Sequence, residues 1–243
     1  MDRWDDEALV LGTLDYGDAD RLVTLLTRGR GKLTAFAAGA RKSRRRFAGA
    51  LEPGTLLRAR LVERRGSTVR LDAVEVVQAF PRIRDELPRI ARALYALELC
   101  RELLREDQPA PELLSLAVEW LGRLDAGEAG PTSVLAFELQ ALALAGLMPR
   151  FDACTLCGGP PGDAPRFDVD HGGAVCAGCA ARATGPRIDP AVLEGLAAIQ
   201  AGARQPLSPA LRAEARALLA RFIEAQLGRR LKSVDFLRSV GVD

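Results

Sequence analysis

Four cysteines fall in two pairs, Cys154-Thr-Leu-Cys157 and Cys176-Ala-Gly-Cys179, with 18 residues between them. Two thiolates at a C-x2-C turn can converge on one soft cation, and a second such pair completes a tetrahedron. Gly158, Gly159 and Gly178 permit the turns this requires. The spacing predicts a structural zinc module, one Zn2+ per chain, held by Cys154, Cys157, Cys176 and Cys179. Four protein ligands leave no open coordination position, so the expected role is folding energy for a segment with little apolar core of its own. Cys100 stands apart on an apolar helical stripe and is expected to be a core residue.

The second chemical feature is charge. The formal net charge of +2 conceals a segment, residues 28–70, with 13 Lys/Arg against only Glu52 and Glu63. Only three of the 34 basic residues are lysine, so placement says more than abundance. The densest run is Arg41-Lys42-Ser43-Arg44-Arg45-Arg46-Phe47, and such a loop can track a phosphate backbone and release its counterions. Arg58 and Arg60 alternate with Leu57, Ala59 and Leu61, which puts both arginines on one face of a strand, and Arg64-Arg65 occupy the turn that follows. Arg41, Lys42, Arg44, Arg45, Arg46, Arg58, Arg60, Arg64 and Arg65 are therefore the expected nucleic-acid contacts. For stacking on unpaired bases the candidates are Phe47, Phe36 and Tyr16, with Phe36 expected in the core.

Catalysis finds little support. Lys42-Ser43 imitates a phosphate loop, but Arg41 stands where the second glycine belongs. The only histidine, His171, reads as a polar loop residue. A nuclease would have to use Asp168 and Asp170, and two carboxylates in a loop are more often solvated. No Ser/His/Asp set, H-E-x-x-H or dinucleotide fingerprint is present. No small-molecule substrate is expected.

The elements that must position these residues change at Pro81. Before it, Ala8–Leu14, Arg21–Thr27, Lys32–Ala38 and a hairpin across Arg64-Arg65-Gly66-Ser67 suggest about five short strands, suited to a small closed barrel such as an OB-fold. The acidic start, Asp2 to Glu7, is expected to be exposed. After Pro81, helical spacing runs over residues 83–105, 111–124 and 132–147. Residues 151–188 are too rich in Cys, Gly and Pro for a long helix, and Asp189-Pro190 and Ser208-Pro209 open two more helices. The expected class is α+β: an N-terminal OB-fold β-barrel over residues 1–80, then an all-α domain over 81–243 with the zinc module inserted at 151–188. No 18-residue apolar run and no leader pattern appear, which points to a cytoplasmic, reducing setting with no membrane partner.

Several stretches together resemble the bacterial recombination-mediator family RecO. They are Gly39-Ala-Arg41-Lys42-Ser43 leading to Leu51-Glu52-Pro53, Cys154-x-x-Cys157-Gly158 leading to Phe167 and Gly172-Gly173, Cys176-x-x-Cys179, and the closing Leu231-Lys232-Ser233-Val234-Asp235-Phe236-Leu237. The resemblance covers essentially the whole chain. It implies binding to single- and double-stranded DNA, annealing of complementary strands, and partnership with RecR and single-stranded DNA-binding protein, so that recombinase replaces the latter on the strand. It also implies association with the nucleoid. The alternative from charge and zinc alone is an RNA- or ribosome-associated OB/zinc binding protein.

Overall fold

The structure, a computed structural model, describes every residue except 1, 44–45, 48, 64–67, 204–206 and 242–243; for Pro131 it describes the backbone only. The chain divides into two units, residues 1–129 with Asp235–Val240, and residues 130–234 with 241–243. Secondary structure changes from sheet to helix at residues 78–81, so two helices belong to the same unit as the sheet.

In the first unit, alternation of inward apolar and outward polar residues builds five strands: β1 (Asp2–Tyr16), β2 (Asp20–Thr27), β3 (Gly31–Ala37), β4 (Leu56–Glu63) and β5 (Arg70–Gln78). They close into a barrel in the order β1-β2-β3-β5-β4. Closure comes from a parallel contact between β3 and β5 at Phe36 and Arg70; the other pairings are antiparallel. This five-stranded closed barrel is the OB-like sheet expected from the sequence. Its interior is filled by Val10, Val23, Leu25, Leu33, Leu57, Leu61 and Leu71, with alanines at 8, 35, 37 and 59 where the tapering space is small.

β1 begins six residues earlier than the sequence suggested. The acidic start is not a loose terminus but half of a ladder, with Asp5 opposite Arg60 and Glu7 opposite Arg58. Opposite charges across neighbouring strands make this register favourable even though Asp and Glu are poor strand formers. A 3-10 turn over Pro81–Asp85 leads to α1 (Leu87–Leu103) and α2 (Pro111–Ala126). Both carry prolines at their first turns, where the missing N–H costs nothing. The chain after α1 returns to the barrel: Asp107 donates its N–H to the Lys32 carbonyl at 2.9 Å, and Arg30 grips Glu63 and Asp107 at 2.8 and 2.9 Å. Cys100 is fully buried in α1, and burial pushes its thiol up to about 12, as suits a core residue.

In the second unit, α3 (Pro131–Leu144), α4 (Pro190–Gln200) and α5 (Pro209–Leu227) pack on one another. Asp189 and Ser208 cap α4 and α5 by accepting from the N–H groups of Ala191 and Leu211. Glu138 of α3, almost fully buried, pairs with Arg216 of α5 at 2.5 Å. Between α3 and α4 lies a small irregular module with a two-stranded sheet, β6 (Arg166–Asp168) and β7 (Gly173–Val175). A last short helix, α6, spans Ser233–Ser239.

Candidate metal centre and nucleic-acid interface

The two C-x2-C pairs meet across the β6–β7 module. At the first, Gly158 donates its N–H to the Cys154 carbonyl at 2.9 Å, with Gly158 itself at a φ of +76° that other residues adopt only with strain. At the second, Cys179 donates to the Cys176 carbonyl at 3.0 Å as a 3-10 turn begins. The Thr155 N–H bonds the Ala174 carbonyl at 2.8 Å, which ties the first turn to β7 and so to Cys176. As a result the four sulfurs lie within 4.8 Å of one another. Cys157 Sγ and Cys176 Sγ are 3.7 Å apart, far beyond a disulfide bond. A tetrahedral ion with metal–sulfur bonds of about 2.3 Å requires sulfur–sulfur edges of about 3.8 Å. The four cysteines can therefore hold a metal ion, and no other such cluster occurs among the described residues.

The thiols are poised unequally. Burial opposes ionisation of Cys154, but N–H groups of Cys176, Cys157 and Leu156 directed at its sulfur outweigh it and bring the thiol down to about 6. Cys179, hydrogen-bonded to Cys157 and Cys176 and facing the Cys154 thiolate, is pushed up to about 12. Cys179 therefore resists ionisation at neutral pH unless a cation sits among the sulfurs.

The loop between the pairs has its own organiser. Asp168 is fully buried and accepts from the N–H groups of Thr184 at 2.7 Å and Asp170 at 3.0 Å, with His171 Nδ1 at 3.2 Å. Burial acts against its charge, yet these donors, Thr184 foremost, hold the carboxyl below its ordinary value. Its oxygens are thus committed to the backbone and the imidazole. Gly185 fits nearby because a Cβ there would stand 1.7 Å from the Phe167 carbonyl oxygen. Phe167 stacks on Phe151 and meets the edge of Phe222 of α5, so the module is fastened to a helix by aromatic packing.

On the barrel, the basic segment after β3 is held firmly at both ends. Phe47 and Leu51 plug the barrel interior, and Gly54 and Thr55 bond to Val10. At the other end, Gly39 donates to Asp20 at 2.7 Å, Arg41 donates its backbone N–H to the Ala19 carbonyl at 2.9 Å, and its guanidinium reaches the Gly17 carbonyl at 3.1 Å. Arg46 closes back on the Ala38 carbonyl and lies over the Phe47 ring. Arg41 is consequently fixed beside the β1–β2 turn, where Asp15 also lies 3.4 Å from its Nε, while Arg46 is tied to the end of β3 and Lys42 is exposed between them; Arg44, Arg45, Arg64 and Arg65 lie outside the described residues.

Arg58 and Arg60 do share the outer face of β4, but not alone. Asp5 holds Arg60 at 3.0 Å, and Glu75 of β5 lies 3.6 Å from Arg58. Asp6 and Glu7 take the Gly29 N–H and the Arg28 guanidinium. Alternation gave the arginines their face correctly, but it could not reveal that β1 and β5 bring carboxylates to the same face. Of the aromatic candidates, Phe36 departs from its expected place in the core. Phe47 is 2% exposed and belongs to the core, whereas Phe36 sits on the outer face of β3 between two inward alanines. Asp15 and Asp20, which orient the basic loop, were invisible because their partners Arg41 and Gly39 lie 26 and 19 residues away.

Comparison with known proteins agrees along the chain. The family models "Recombination protein O N terminal" and "Recombination protein O C terminal" match residues 1–80 and 84–235. The DNA repair protein RecO of Myxococcus xanthus (strain DK1622) is 65% identical over the full length of both chains. That of Anaeromyxobacter sp. (strain K) is 52% identical over 99% of this chain and 98% of its own. That of Syntrophus aciditrophicus (strain SB) is 34% identical over 96% and 95%.

Proposed function

Because the chain belongs to the RecO family of DNA repair proteins, we propose that it is a recombination mediator that works without catalysis. It binds single- and double-stranded DNA and anneals complementary strands. With RecR it helps recombinase replace single-stranded DNA-binding protein. The observation that carries the reading is the anchored loop of Arg41, Lys42 and Arg46 on a closed five-stranded barrel. Cations held at fixed positions bind phosphates without reading sequence, and screening two backbones at once lets complementary strands approach. Arg44, Arg45, Arg64 and Arg65, outside the described residues, are further contacts in this reading. Arg58 and Arg60 join it, as Arg41 does with Asp15, by exchanging a carboxylate for a phosphate.

The metal in this reading is zinc, held by Cys154, Cys157, Cys176 and Cys179, and its role is structural. It supplies a fixed cross-link for the β6–β7 module, and the cysteines, Asp168 and Phe167 do the remaining work of shaping the loop. The protein acts in the cytoplasm at the nucleoid; among the described residues no helix is long and apolar enough to cross a membrane. The direct test is a fluorescence titration of single- and double-stranded DNA with the wild type and with R41E/K42E. Loss of most affinity for both supports the loop as the contact, and unchanged binding refutes it.

A further inference from the structure

The outer face of the barrel carries a row that the charge argument does not use. Leu14 of β1 stands opposite Leu22 of β2, Leu22 opposite Phe36 of β3, and Phe36 opposite Arg70 of β5. One residue from each of four strands thus lines up across the sheet. Tyr16, two residues beyond Leu14 on the same side of β1, meets the Phe36 ring edge-on at 5.9 Å and 89°. Arg70 places its guanidinium 6.0 Å from the Phe36 centroid. Leu14 is 65% exposed and Tyr16 56%, two large apolar side chains at the end of β1, where the last three residues are all exposed.

What covers this row is indicated by its surroundings. The turn that follows Tyr16 is the one to which the basic loop is tied, through Gly17, Ala19 and Asp20. Arg41, whose Nε lies 3.4 Å from Asp15, therefore borders the Tyr16 side of the row, and Arg70 stands at its far end. An apolar strip with an aromatic ring between cations suits a ligand with flat apolar faces joined by an anionic chain. A buried protein interface would leave those cations facing apolar surface, whereas a duplex keeps its bases stacked inside. Side chains two apart on a strand are about 6.7 Å apart, enough for Leu14 and Tyr16 to meet successive splayed bases.

We infer that Tyr16, braced by Phe36 and flanked by Leu14 and Arg70, is a base-stacking platform for unpaired DNA. This rests on the DNA-binding reading above and deepens it, by giving the barrel a means to prefer single strands. Stacking, unlike phosphate contact, is insensitive to salt.

The test compares wild type, Y16A, Y16F and Y16W on labelled oligo-dT and on a duplex of the same length, over a range of salt. Circular dichroism confirms folding. Y16A is expected to lose at least about fivefold in oligo-dT affinity, the lower end for one stacked base, with the salt slope and duplex affinity within twofold of wild type. Y16F should bind like wild type, and the added indole of Y16W should be quenched by oligo-dT. The platform is overturned if Y16A binds oligo-dT within twofold of wild type while R41E/K42E does not bind. It is also overturned if Y16A weakens both DNAs equally, or if wild type prefers oligo-U to oligo-dT. If wild type binds no DNA at all, the DNA-binding reading itself fails.

Discussion

Arg60 Nε lies 3.0 Å from Asp5 Oδ1, across the ladder that joins the acidic first strand to the basic fourth. The hydrogen bond to Asp5 holds the guanidinium even more firmly protonated. A carboxylate in this position competes with any phosphate approaching the same arginine. D5N should therefore tighten single-stranded DNA binding by a few-fold at low salt. The slope of log affinity against log salt should steepen by about 0.7, the share of one phosphate. An exposed pair contributes little to stability, so the unfolding midpoint should hardly move. Equal affinities for D5N and wild type would place this face away from the DNA.

The anchored loop makes the opposite prediction. R41A/K42A removes two phosphate contacts and should flatten the salt slope for single strands by about 1.4. The loss should be uniform across DNA sequences, because fixed cations beside the backbone carry no base readout. A sequence-dependent loss, or an unchanged slope, would argue against it.

For the cysteine module, freshly purified protein should contain one zinc per chain by elemental analysis. Zinc added to metal-free protein at neutral pH should release protons as thiols become thiolates. Replacing any of the four cysteines by serine should abolish stoichiometric binding and lower the thermal midpoint. G185A tests the shape of the module without touching a ligand. Its Cβ would collide with the Phe167 carbonyl, and overpacking of this kind costs roughly 1–3 kcal/mol. A variant as stable as wild type would mean that the loop relaxes freely.

Asp168 predicts a pH dependence. Its carboxyl is held below the ordinary value in the fold, so its contribution to stability is complete above the usual carboxylate range. That contribution disappears as the pH falls through the lowered value. D168N should be less stable than wild type near neutrality, with the gap closing on acidification. Denaturant midpoints measured from pH 7 down to pH 3 would reveal it; a gap that widens in acid would contradict the assignment.

Much of this was legible in the sequence, for definite reasons. The C-x2-C spacing is a local property of two turns, and the prolines behind Asp189 and Ser208 mark helix starts by stereochemistry alone. The closed barrel followed from alternation and tight turns. What escaped depends on which strand lies beside which. The acidic start became strand because Arg58 and Arg60, more than fifty residues later, were opposite it. Phe36, expected in the core, lies on the outer face, and Phe47, open between surface and core in the sequence, lies inside, for a similar reason. A ring beside a run of arginines could face either way; the loop turns Phe47 inward as its plug, and the parity of β3 turns Phe36 out.

The proposed role is tested most directly by annealing complementary strands precoated with single-stranded DNA-binding protein, followed by fluorescence over time. The account predicts that the wild type speeds annealing without any nucleotide cofactor, and that R41E/K42E does not. Strands that stay apart with the wild type, or anneal equally fast with R41E/K42E, would contradict it.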